Sequence, residues 1–311
     1  MKIALAIHNH QPVGNFEEIF EDAYQRAYWP FLQIFARHQR LKLNLHNSGP
    51  VWEFVARSHP EYMELVARLV GEGRLELLTG AYYEPILAAI SEEDGVGQIG
   101  KLTSFLKTSF GCESRGLWLA ERVWEPHLPR ALARAGVKYC LVDGEGLRAA
   151  GKRDEELTGY FVTEHLGSPV AVVPINRSLR WAIPFEPVAN VMRLLGQHHS
   201  KNPDGLVLFA DDGEKFGLWP TTQETVYQKG WLEDIFTALD RFSTLVEPVT
   251  LGRALETTRP SGRVYLPTTA YSELMGWALP PRANRKLDRL VNKLRFEGLW
   301  DRYEGFVHGT L

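Results

Sequence analysis

MKIALAIHNHQP, residues 1–12, sets the reading of the fold. Lys2–His8 is a short apolar run that turns polar where it ends, as a buried strand does on reaching a solvated edge. The period then changes. Phe16, Ile19, Phe20, Ala23 and Ala27 recur at helical spacing, with Asn15 placed to cap the helix and Glu18 three residues on, a variant of the capping box. The same strand-then-helix unit repeats along the chain. Strands are expected at Leu41–His46, Leu75–Thr79, Gly116–Ala120, Lys138–Val142, Val170–Pro174, Leu206–Ala210 and Val264–Leu266. Helical stretches lie between them, among them 98–110 and a helix from about Pro129. Gly144–Gly159 reads as a polar surface insertion, and Ser200–Gly205 and Thr257–Gly262 as turns. This alternation predicts an α/β protein, with a parallel sheet or barrel joined by helical crossovers.

In such folds the catalytic groups come from the C-terminal ends of strands. The polar clusters fall there: His8 and His10, His46, Glu84 just beyond a strand, Glu121, and Asp211 with Asp212. His8 and His10 are two apart, so an extended chain points both to one side, as hydrogen-bond donors to a substrate or as a pair of metal ligands. GLWLAERVWEP (116–126) sets Glu121 directly after an apolar run, and FADDGEKFGLWP (209–220) sets Asp211 and Asp212 at the end of another. Two carboxylates from different strands are the minimum equipment for glycoside chemistry: one attacks the anomeric carbon, the other protonates the leaving oxygen. Strand alternation leaves the choice between Asp211 and Asp212 open. Trp118, Trp124, Trp219, Trp277, Tyr82 and Tyr83 stand near charged residues. Flat rings beside carboxylates suit sugars, whose C–H faces pack on aromatics while the hydroxyls find polar partners.

Composition bounds the alternatives. In 311 residues, 44% are hydrophobic and 23% charged, with 27 Gly and 18 Pro, which excludes a disordered, collagen-like or disulfide-stapled chain. Net charge of −3 argues against a nucleic-acid partner, and the basic run Arg282, Arg285, Lys286, Arg289, Lys293 reads as a solvated helix face. Cys112 and Cys140 read as small buried hydrophobes. No stretch approaches the roughly 20 apolar residues of a membrane span, so a cytoplasmic protein without a membrane partner is expected.

HNHQP, YYEPIL, GLWLAERVWEP, FADDGEKFGLWP and YLPTTAYSELMGWALP together resemble the five signature regions of glycoside hydrolase family fifty-seven, in order, over residues 1 to about 305. The chain looks most like its 4-α-glucanotransferases. The resemblance implies a distorted (β/α)-barrel with seven strands and a retaining mechanism on α-1,4-glucans or maltooligosaccharides, without cofactor or metal. It makes Glu121 the nucleophile and Asp212 the general acid/base. It places His8, His10, Glu84 and Trp219 against substrate, with His46 and Trp118 lining the same pocket. Residues 1–311 would be the catalytic barrel, and about 282–303 the start of a helical region that in the family continues into a bundle and a β-rich domain. With those parts missing, transfer to an acceptor would be weak relative to hydrolysis. Leu287, Leu290 and Leu294 would form an apolar face that favours a homodimer.

Three alternatives stand beside this reading. One is an α-amylase-type hydrolase of the same family, and another a non-catalytic glucan-binding protein. The third is a metal-dependent carbohydrate hydrolase or deacetylase. Deacetylases carry an early Asp-Asp-Gly followed by His-x-x-x-His, whereas here that triplet stands at 211–213 and no two histidines have that spacing.

Overall fold

The computed structural model describes residues 1–271, 274 and 280–307. Trp277 and part of the 265–280 segment lie outside them. The central strand is β1 (Lys2–Asn9), with β2 (Leu43–Asn47) and β3 (Leu75–Leu77) on one side and β8 (Leu206–Asp212), β7 (Ser168–Ile175), β5 (Tyr139–Asp143) and β4 (Gly116–Leu117) on the other. These seven strands run parallel in the order β3-β2-β1-β8-β7-β5-β4. The two ends of that row meet. Thr79 N–H donates to the Gly116 carbonyl and Trp118 N–H to the Thr79 carbonyl, each at 2.8 Å, so the sheet curls into a nearly closed seven-stranded barrel.

Burial on both faces explains why β1 reads as one apolar run rather than an alternating pattern. Ala4 and Ala6 face the barrel axis with Leu141, Val173, Leu208 and Ala210. Ile3, Leu5 and Ile7 face the surrounding helices with Val207 and Phe209. The end of the barrel opposite the polar strand ends is stoppered by the helix Leu251–Thr257. Its first amides donate to Asn44 Oδ1 (from Leu251, 2.9 Å) and Glu76 Oε2 (from Gly252, 2.8 Å). Two interior polar groups thus satisfy a helix N-terminus.

Several expected elements shift. The first helix begins at Glu17, and Phe16 rather than Asn15 occupies the cap position; Asn15 Oδ1 accepts only from Phe16 N–H, at 3.0 Å. Phe16 and Ile19 are exposed, so the buried face of that helix rests on Phe20, Ala23 and Ala27. Gly144–Gly159 is no surface insertion at its start: Gly144–Ala149 is a helix with Gly144, Gly146 and Leu147 buried against the barrel. Val264–Leu266 is extended but forms no strand; Val264 and Leu266 fill core space, and pairing there is a single bridge from Arg263 to Val162. Two strands had no counterpart in the sequence reading: β6 (Phe161–His165), antiparallel to β7, and the two-residue β9 (Glu247–Pro248) beside β1. Cys140 is buried and Cys112 half-buried, both as free thiols. No helix among the described residues is long and apolar enough to cross a membrane.

Candidate active site

Parallel register builds the site. His8 stands opposite His46 on β2 and opposite Asp212 on β8, so three polar side chains lie abreast at the C-terminal mouth of the barrel. Asp212 continues the inward row Leu206, Leu208, Ala210. Asp211, one residue earlier, therefore faces the helices. There it is 1% exposed and clamped by Lys215 Nζ at 2.6 Å and Arg180 Nη2 at 3.2 Å. Asp212 thus faces the cavity and Asp211 a buried ion-pair cluster.

The cavity has a volume of about 240 Å³ and is lined by His8, His10, Glu84, Ala120, Glu121, Asp212 and Glu214. Glu84 and Glu121 each reach it from a strained backbone, with φ of 52° and 51°, and Arg122 follows at 49°. Left-handed conformations are uncommon outside glycine and persist where surrounding contacts impose them, often at functional sites. Arg122 has such contacts: its guanidinium lies 4.6 Å above the Tyr271 ring and 3.6 Å from Asp143. Tyr271 in turn donates its hydroxyl to Glu121 Oε2 at 2.5 Å. Glu121 itself is exposed at the cavity mouth.

A chain of histidines forms the opposite wall. Glu84 is hydrogen-bonded to His10 Nδ1 and lies 3.4 Å from His8 Nε2. His8 Nδ1 pairs with His46 Nδ1 at 2.8 Å, and the His8 ring stacks on Trp118 at 4.4 Å. His46 and Trp118 are thus behind His8 rather than on the cavity wall. Burial depresses both inner imidazoles, His46 to about 3, with the neighbouring histidines adding to the effect, so both are neutral. His10 differs. Burial would lower it, but the Glu84 carboxylate, helped by Glu214 and Asp212, outweighs that and raises it. Burial raises Glu84 in turn, against the pull of His10. His8, His10 and Glu84 also offer three ligand atoms within 4.8 Å of one another, the one grouping among the described residues able to hold a metal ion.

Asp212 is raised above the usual carboxylate range by burial and by adjacent Asp211, with Arg122 and Arg180 opposing. A carboxyl that holds its proton longer is suited to donate it. Glu214, two residues on, was not singled out in the sequence although it stands in the same quoted stretch. Its Oε1 accepts from the Tyr28 hydroxyl and, at 2.9 Å, from His10 N–H. Burial pushes it up to about 7. The signal that could have found it is the third carboxylate of a DDGE turn.

The aromatic candidates divide. Trp124 and Tyr82 are core residues, whereas Tyr83 is exposed with its hydroxyl accepting from Lys101. Trp219 is 45% exposed and lines a second, larger cavity that shares Asp212 with the first.

A family model described as glycosyl hydrolase family 57 matches residues 4–267. The chain belongs to glycosyl hydrolase family 57. This family 57 chain is 42% identical over 306 residues to alpha-amylase 1 of Dictyoglomus thermophilum, which covers 98% of it and 45% of that relative. It is 40% identical over 305 residues to the 4-alpha-glucanotransferase of Thermococcus litoralis, covering 98% of this chain and 46% of that one. The crystal structure of the 4-alpha-glucanotransferase from Thermococcus litoralis superposes with a TM-score of 0.92 at 39% identity, over 98% of this chain and 48% of that one. The chain spans about half the length of these relatives.

Proposed function

We propose that this chain carries the catalytic barrel of a retaining enzyme on α-1,4-glucans, a 4-α-glucanotransferase first and an α-amylase-type hydrolase second. Glu121 is the nucleophile and Asp212 the general acid/base. The observation that carries this is the meeting of Glu121 and Asp212 in one cavity at the strand ends, while Asp211 is tied up by Lys215 and Arg180. In the first step Glu121 attacks the anomeric carbon and the glycosidic C–O bond breaks. Asp212 gives its proton to the departing oxygen, leaving a covalent glycosyl-enzyme. In the second step Asp212 takes a proton from an incoming hydroxyl, whose oxygen displaces Glu121 with net retention. Whether that hydroxyl belongs to a glucan or to water separates the two activities.

His8, His10 and Glu84 contact the ring held in the cavity. His46 and Trp118 act one layer back by fixing His8, and Trp219 contacts substrate beyond Asp212. Residues 282–303 begin a helical region attached to the barrel. The His8–His10–Glu84 cluster favours one other reading, a cation-dependent hydrolase. Incubation with maltotriose, with and without a chelator, tests both. Longer and shorter maltooligosaccharides formed at equal rate in both arms support the proposed chemistry. Activity lost on chelation and restored by zinc supports the cation instead.

A further inference from the structure

Beside Asp212 lies a groove of about 570 Å³, lined also by Arg122 and Tyr271 next to Glu121, within the size range of built ligand sites and more than twice the inner cavity. Three large aromatic rings stand open along it: Trp181 (63% exposed), Phe185 (51%) and Trp219 (45%). Each has charged or aromatic neighbours. Arg177 lies 4.2 Å over the Trp181 ring and is itself paired with Glu145 at 3.2 Å. Phe185 and Trp219 are 6.1 Å apart at a 30° tilt, with the buried ammonium of Lys215 beside both. Asp143, Arg177 and Arg180 add polar groups to the same wall. Exposed rings gathered beside charged side chains match the two surfaces of a pyranose, and leaving that much aromatic surface in water has no packing rationale.

The proposed chemistry, on which this inference rests, gives the groove a direction. Asp212 protonates the oxygen joining the sugar that Glu121 attacks to the sugar that departs. Glu121 lines only the inner cavity and Asp212 lines both. We infer that the groove beside Asp212 binds the departing glucan and then the acceptor glucan, with Trp181 and Phe185 as its stacking platforms. These two residues therefore set how well a sugar hydroxyl competes with water for the glycosyl-enzyme, by holding the acceptor and excluding solvent.

The test uses the 311-residue chain with Trp181→Ala and Phe185→Ala, and Phe242→Ala as an exposed-ring control outside both cavities. With a maltosyl fluoride donor and maltotriose as acceptor, Trp181→Ala is expected to raise the acceptor KM about tenfold relative to the donor KM. The ratio of transfer to hydrolysis should fall by a similar factor. Unchanged acceptor KM and ratio in both groove variants would overturn the inference. Binding separates this outcome from failure of the chemistry itself. In a Glu121→Gln background, Trp181→Ala should weaken maltoheptaose binding about tenfold by calorimetry. Equal affinities overturn the groove. Tight, Trp181-dependent binding by a wild-type chain that turns nothing over supports the groove and overturns the catalytic reading.

Discussion

In the proposed mechanism Glu121 and Asp212 carry different burdens, and their substitutions should separate. Glu121→Gln keeps shape and backbone but cannot form the ester, so kcat should fall on the order of 10³-fold or more with melting temperature unchanged. Asp212→Asn should impair glucans far more than a glycosyl fluoride, whose leaving group needs no proton. If Asp211→Asn gives that selective rescue instead, the inward row of β8 has been misassigned; what it should give is instability, because Lys215 and Arg180 lose their buried counter-charge. Glu214 supplies a pH signature. Its pKa is about 7 when folded against 4.5 ordinarily. The folded state therefore holds this proton more tightly than the unfolded one. Its stabilising effect is complete below about 4.5 and is lost as pH rises through about 7. Glu214→Gln has no proton to lose. Its melting temperature should drop less than that of the wild type between pH 5 and pH 8, and parallel curves would refute the linkage. In the sequence, Glu121 and the Asp211–Asp212 pair were visible as strand-end carboxylates. Glu214 was not singled out, since its role depends on a Tyr28 hydroxyl 186 residues away in sequence.

At the level of elements, the site depends on how closely neighbouring strand ends approach. A Cβ built on Gly80 would stand 2.4 Å from His46 Nε2, closer than any real contact. Gly80→Ala must therefore push the His46 imidazole out of line with His8, at a cost of about 1–3 kcal/mol. It should lower glucan turnover as well as stability, because His8 is held between His46 and Trp118. A variant that loses stability yet keeps wild-type KM and kcat would show the histidine row to be only structural. Among the barrel strands β1, β5, β7 and β8 were legible because a parallel strand covered on both faces is a near-continuous apolar run. β6 was not. Its sequence FVTEH carries polar residues on a sheet margin, and its antiparallel partner, not its own composition, makes it a strand. The helix Gly144–Ala149 was hidden for a related reason: its buried positions are largely glycines, which give no apolar signal.

Across the whole molecule, the last helices stand out for leaving a run of apolar side chains in water. In the helix Pro281–Phe296 no residue is buried. Leu290 is 47% exposed and Phe296 93%, and Leu299 just beyond is 36% exposed. Leu287, Val291 and Leu294 are only half-covered on the same amphipathic helix. The basic residues expected there do lie on its solvated side: Arg282, Arg285, Lys286, Arg289 and Lys293 are all exposed. An apolar strip bordered by charge removes itself from water by meeting its own copy when nothing else covers it. The 311-residue chain in isolation should therefore associate reversibly as a homodimer through this helix. Light scattering over a wide concentration series should show mass rising from one chain toward two. Leu290→Glu with Phe296→Glu should hold it at one chain with the barrel's melting temperature unaltered, since both residues are exposed. A wild-type chain that stays monomeric at every concentration would show the strip to be tolerated in water. Glucan turnover that falls on dilution in step with dimer loss would mean instead that two copies complete one another's sites.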